Sequence, residues 1–129
     1  MAYMTDRKRA NGLGSAHSGA HHHWQIIVSS VVLLVLVPLF VFTFGRVYGE
    51  PFEVALIYMS RPFPAVVAGL TILVGFYHFA IGARSAVEDY LGGWTRKLVL
   101  IGVNFLCLAL AGYGLFAIAR LALLPLPPM

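Results

Sequence analysis

Residues 24–44 read WQIIVSSVVLLVLVPLFVFTF, twenty-one in a row without a charge, and this stretch decides the fold. As helix at about 1.5 Å per residue it reaches about 31 Å, enough to cross the roughly 30 Å hydrocarbon core of a bilayer. Two more apolar blocks follow: residues 62–87, broken only by His78 and Arg84, and residues 98–121, uncharged until Arg120. None alternates with period two, whereas an eight-strand barrel needs about 80 residues of such alternation. The chain is therefore read as an all-α integral membrane protein with three transmembrane helices, about 24–44, 62–88 and 97–121. Composition agrees: 60% of the 129 residues are hydrophobic and 11% charged, against about 25% charged in soluble domains. So few polar residues cannot cover a folded surface facing water.

The basic cluster Arg7, Lys8 and Arg9 precedes the first block and imitates a secretory signal. The apolar run is longer than the roughly 7–15 residues of a signal core, and it begins fifteen residues after the cluster, so it is expected to remain in the mature protein. Residues 1–22 are assigned to an N-terminal tail and 23–129 to the membrane domain. For His21, His22 and His23 the readings are a tag fragment, a metal site or an interfacial segment facing water; three adjacent His on a helix point in three directions, which favours the last.

Basic residues also set the orientation. Arg7, Lys8, Arg9, Arg84, Arg96 and Lys97 lie on or near one side, and Arg46, Arg61 and Arg120 on the other. Six against three places the N-terminus in the cytoplasm and, after three spans, the C-terminus in the periplasm of a bacterial inner membrane. Pro125, Pro127 and Pro128 end the third span. The basic excess is accounted for by topology and membrane lipid, and no nucleic-acid partner is expected.

Neither face has room for a catalytic domain, since the longest loop, 45–61, has 17 residues. Cys107 is alone and within a span, so there is neither a disulfide framework nor a thiolate metal cluster. No phosphate-binding glycine loop, Ser/His/Asp set or paired zinc-ligand motif occurs.

Helix two carries the chemistry. An ionisable residue within a span is costly and is a functional candidate by default. His78 lies midway along the block, too deep for its short side chain to reach water. At about 100° per residue, Gly75, His78, Gly82, Ser85, Ala86 and Asp89 share one stripe of small or polar residues. Such a stripe suits close approach of another helix or of a flat ligand. His78 then has two readings: a hydrogen-bond donor to a neighbouring helix, or an axial ligand of haem iron with Gly75 and Gly82 leaving space one turn either side. No other span contains a His, so a second axial ligand would come from a partner subunit. Asp89 lies about 16 Å further along the same face. Tyr90 beside it is either part of an interfacial aromatic belt with Trp94 or a phenol able to donate to a carbonyl oxygen.

The segment from His78 to Tyr90, HFAIGARSAVEDY, resembles the small hydrophobic membrane-anchor subunit of succinate dehydrogenase, respiratory complex II, above all in the His, Gly82 and the terminal Glu-Asp-Tyr. Length, span number and orientation agree over nearly the whole chain. The resemblance implies that His78 is an axial ligand of haem b, the other coming from a larger, cytochrome b556-type anchor subunit. It further implies that Tyr90 hydrogen-bonds a ubiquinone carbonyl and that Asp89 supports that site by positioning or proton delivery. The chain becomes one part of a heteromeric helix bundle. The flavoprotein subunit oxidises succinate, the iron–sulfur subunit carries the electrons, and the cytoplasmic loop docks these soluble partners. Arg84 either pairs with a haem propionate or snorkels to lipid phosphate.

One departure stands out. Many members carry an arginine early in helix one after a His-Trp pair; here His23-Trp24 is followed by Gln25, Ile26, Ile27, Val28, Ser29 and Ser30. Either Ser29 or Ser30 faces the cofactor region, or the larger anchor supplies the charge. Two rival readings remain: the anchor of a quinol-oxidising fumarate reductase, and a non-redox structural membrane protein in which His78 only packs.

Overall fold

A computed structural model describes residues 4–14 and 18–123 of the chain. Every regular element in it is helical: α1 (Asp6–Asn11), α2 (Ser18–Gly45), α3 (Phe52–Met59), α4 (Pro62–Tyr90) and α5 (Gly93–Leu123). Three of these, α2, α4 and α5, are long and apolar enough to cross a membrane. The expected all-α, three-span architecture is therefore present. The prolines expected to end the third span, Pro125, Pro127 and Pro128, lie outside the described residues.

Each spanning helix is longer than its apolar block. The lengths of 28, 29 and 31 residues correspond to about 42–47 Å of helix, so each runs beyond the hydrocarbon into the headgroup layers or tilts. Intrahelical hydrogen bonding continues wherever the backbone is not interrupted, whereas the apolar pattern stops at the edge of the lipid. Hence α2 takes in His21, His22 and His23, and α5 begins at Gly93. The α4–α5 connection is reduced to Leu91 and Gly92. Leu91 caps α4 in an extended conformation, its N–H donating to the Val87 carbonyl, and Gly93 turns the chain with φ 60°, where a side chain would be strained. The docking loop expected there is thus two residues long, and helix ends form that surface.

α4 is the middle of the bundle. It packs against both α2 and α5, which flank it without packing on each other. The short connection makes α4 and α5 antiparallel, and a Cβ built at Gly114 of α5 would meet Ile72 of α4 at 3.1 Å, while one at Gly69 of α4 would meet Leu115 of α5 at 3.7 Å. Small residues thus let the two backbones approach. Between Gly45 and Pro62, where a loop was expected, α3 folds back on α4 and α5. Met59, Ser60, Pro64, Ala65, Val67 and Ala68 are buried there, closing that end. Pro62 and Pro64 start α4 in its first turn, where no intrahelical N–H is needed.

Three polar side chains inside the spans bond their own helix. Thr43 donates to the Leu39 carbonyl at 2.6 Å, Thr71 to Val67 at 2.7 Å and the Asn104 amide to Leu100 at 2.8 Å. This removes unpaired donors from a medium that offers none. Cys107 is buried and unpaired.

The tight Gly114–Ile72 approach predicts that Gly114→Leu destabilises the α4–α5 seam by about 1–3 kcal/mol. Gly112→Ala, where an added Cβ meets nothing within 4 Å, should be silent. The check is the temperature at which the Cys107 thiol becomes reactive in detergent-solubilised complex.

Candidate functional site

The seam between α2 and α4 is stitched by two polar contacts. Ser29 Oγ lies 2.8 Å from His78 Nδ1, and His22 Nε2 lies 3.2 Å from Ser85 Oγ. The pattern is reciprocal: each helix contributes one His and one Ser seven residues apart, and the antiparallel arrangement sets each His opposite the other helix's Ser. Seven residues are about two turns, so both pairs fall on the facing side. Ser29 is buried and His78 half-buried. The Ser29 hydroxyl also lies 2.8 Å from the Gln25 carbonyl and 3.0 Å from that of Ile26, and donates to them.

Of the two serines weighed on helix one, Ser29 is the one that reaches α4. Ser30 is exposed and its hydroxyl turns back to the Ile26 carbonyl at 2.8 Å. The three histidines before it diverge: His22 contacts Ser85, His21 meets Gln25 at 3.1 Å, and His23 is exposed. No cluster of three or more metal-ligating side chains occurs among the described residues.

The small-residue stripe on α4 divides into two edges. His78 and Ser85 face α2, whereas Gly82, Ala86 and Asp89 are exposed along a side that no other helix of the chain covers. Gly75 and Gly82, flanking His78, have nothing within 4 Å of where a Cβ would stand. Phe79 is also open on this side, and Tyr90 at the helix end is 87% exposed. A groove of about 370 Å³ beside the Ser29–His78 contact is lined by Trp24, Gln25, Val28 and Tyr77 among others.

At the same end of the bundle, Glu88 is held by two guanidinium groups. Arg84 Nε donates to it at 3.0 Å from one turn earlier, and Arg96 at 3.2 Å from α5. The Arg84 side chain, 59% exposed, is therefore directed toward Glu88. Asp89 is in no ion pair among the described residues. Lys97 lies over the Trp94 ring at 5.1 Å, a pairing suited to the membrane interface. The structure thus places His78, Asp89 and Tyr90 along α4, adds Ser29 from α2, and binds Arg84 to Glu88.

Comparison with known proteins identifies the family. The profile of the family described as succinate dehydrogenase/fumarate reductase transmembrane subunit matches residues 1–116. The succinate dehydrogenase hydrophobic membrane anchor subunit of Paracoccus denitrificans is 44% identical over 123 residues, covering 95% of each chain. That of Rickettsia conorii is 30% identical over 103 residues, 78% of this chain and 81% of the relative. No solved structure gives a significant match. The chain belongs to the succinate dehydrogenase/fumarate reductase transmembrane subunits, and within them to the hydrophobic membrane anchors of succinate dehydrogenase. The resemblance read from residues 78–90 is borne out.

Sequence reasoning did not assign partners to His22 and Ser85. Their signal was the matched His-to-Ser spacing on two helices, which becomes meaningful only once the helices are known to be neighbours. A double-mutant cycle with His22→Ala and Ser85→Ala should give a coupling of about 0.6 kcal/mol, the scale of interhelical hydrogen bonds in membranes. Unfolding of the solubilised complex measures it, and strict additivity of the two single changes would show that the contact contributes nothing.

Proposed function

We propose that the chain, as the small membrane anchor, tethers the flavoprotein and iron–sulfur subunits to a bacterial inner membrane. With a larger cytochrome b556-type anchor it provides sites for haem b and ubiquinone, so that electrons taken from succinate reach the quinone. In this reading the N-terminus faces the cytoplasm and the C-terminus the periplasm, as the six-to-three distribution of basic residues favours. The curated relatives matched above are succinate dehydrogenase anchors, which favours succinate oxidation over the reverse reaction.

The observation that carries the proposal is the position of His78 on α4. Its Nδ1 is engaged by Ser29, and among the described residues no side chain or carbonyl is within bonding distance of Nε2. The glycines one turn either side face open space. An imidazole with one nitrogen tied back and the other available, beside an uncovered glycine-lined helix face, would suit His78 to hold the iron of a haem. Haem b, when bound there, supplies a one-electron redox centre. This chain's part would be to present the His78 imidazole and exclude water with Phe79 and the surrounding apolar side chains, with the partner anchor supplying the other ligand. Arg84 is available to a haem propionate only by exchanging its Glu88 partner, and its exposure permits that exchange.

Tyr90 and Asp89 stand exposed at the cytoplasmic end of the same helix. The phenol donates a hydrogen bond to a quinone carbonyl and so orients the ring, while the adjacent carboxylate exchanges protons with water. The exposed surface around Tyr90, Trp94 and Lys97 is where the soluble subunits complete the pocket.

Two outcomes are expected. Tyr90→Phe leaves the complex assembled and its haem in place, yet slows succinate-driven quinone reduction about fivefold, the worth of one hydrogen bond of about 1 kcal/mol. Reduction of an artificial acceptor by the flavoprotein persists; an unchanged quinone rate removes Tyr90 from the site. His78→Ala abolishes the b-type band in reduced-minus-oxidised spectra of membranes containing the full complex, and a retained native band overturns the haem assignment.

A further inference from the structure

We infer that Ser29 is a positioning residue for His78, holding its ring in the form with the proton on Nδ1 and the lone pair on Nε2. The inference rests on the haem-ligand reading of His78.

The number of protons and acceptors around Ser29 decides the form. The Ser29 hydroxyl has one proton and three neighbours: the Gln25 carbonyl at 2.8 Å, the Ile26 carbonyl at 3.0 Å and His78 Nδ1 at 2.8 Å. If that proton went to Nδ1, the set would contain one hydrogen bond, Nε2 would carry the ring proton, and His78 could not coordinate a metal. If instead the hydroxyl donates to the helix carbonyls and Nδ1–H donates to Ser29 Oγ, the set contains two or more. In a low-dielectric seam the arrangement with more satisfied donors prevails. Ser29 is buried, and its position on α2 is fixed by the same carbonyls, so the ring is held in orientation as well as in tautomer.

Its consequence for a metal is electronic. A ring N–H donated to an oxygen makes the imidazole a more basic ligand and favours the oxidised metal.

The test uses the whole four-subunit complex in membranes, with Ser29→Ala, Ser29→Cys and Ser29→Thr, read by haem content, the midpoint potential of haem b and the electron paramagnetic resonance of its ferric form. Ser29→Ala should lower haem retention about 10-fold or more, raise the midpoint potential in the fraction that keeps haem, and shift the ferric signal. Ser29→Thr, which keeps the hydroxyl, should retain the native values. Ser29→Cys, with a weaker acceptor, should shift the potential in the same direction as alanine by less, and serves if the alanine complex holds too little haem to titrate. A packing role alone would change haem content without moving the potential. If His78→Ala removes the haem while potential and signal are native in both Ser29→Ala and Ser29→Cys, the Ser29 inference is overturned and the haem reading stands. If His78→Ala keeps a native haem, the haem reading itself falls.

Discussion

In lipid the helices of this chain have no hydrophobic reason to find one another, because the surrounding tails are as apolar as their side chains. What remains is van der Waals contact where small residues let backbones approach, and hydrogen bonds between helices. The chain uses one device on each side of its middle helix. On the α5 side the approach is steric, Gly114 against Ile72 and Gly69 against Leu115. On the α2 side it is polar, Ser29 to His78 and His22 to Ser85. At about 0.6 kcal/mol each, the two polar contacts fix register and rotation more than they supply cohesion. Register is what a ligand site needs, since a slip of one residue would turn His78 about 100° away from its partner.

The bundle is closed at one end and open at the other. α3 folds over the start of α4 and buries Met59, Ala65, Val67 and Ala68. Toward the other end Phe79, Gly82, Ala86, Asp89 and Tyr90 are left uncovered. With α2 and α5 flanking α4 without meeting, the three spans form a layer rather than a closed bundle. Such a layer leaves one side of its central helix available to another membrane subunit, and in a membrane anchor of succinate dehydrogenase that vacancy has a use.

How much of this was legible in the sequence follows from which forces act locally. The three spans are visible because the lipid imposes its demand residue by residue, and Trp24–Phe44 meets it without a charge. His78 stands out for the converse reason, a polar group where an apolar one belongs, and Asp89 and Tyr90 follow it at the end of the same helix. α3 was hidden, because an eight-residue helix between Pro51 and Pro62 is held by packing on α4 and α5 rather than by its own periodicity. The early starts of α2 and α5 were hidden too, since hydropathy reports the lipid boundary and not the end of backbone hydrogen bonding. The partner of Arg84 depended on geometry: Glu88, one turn on, is a helix neighbour, but the second cation on it, Arg96, comes from the next helix.

That junction bears on the position of the site end. Glu88 ties the last turn of α4 to α5 through Arg96, two residues before α4 ends. Asp89 and Tyr90 follow directly and are exposed. The two carboxylates differ in their surroundings: Glu88 is paired with two guanidinium groups, and Asp89 is exposed and in no ion pair among the described residues. The order Glu88-Asp89-Tyr90 thus sets the paired anion toward α5, with two exposed side chains following it at the open end of the helix.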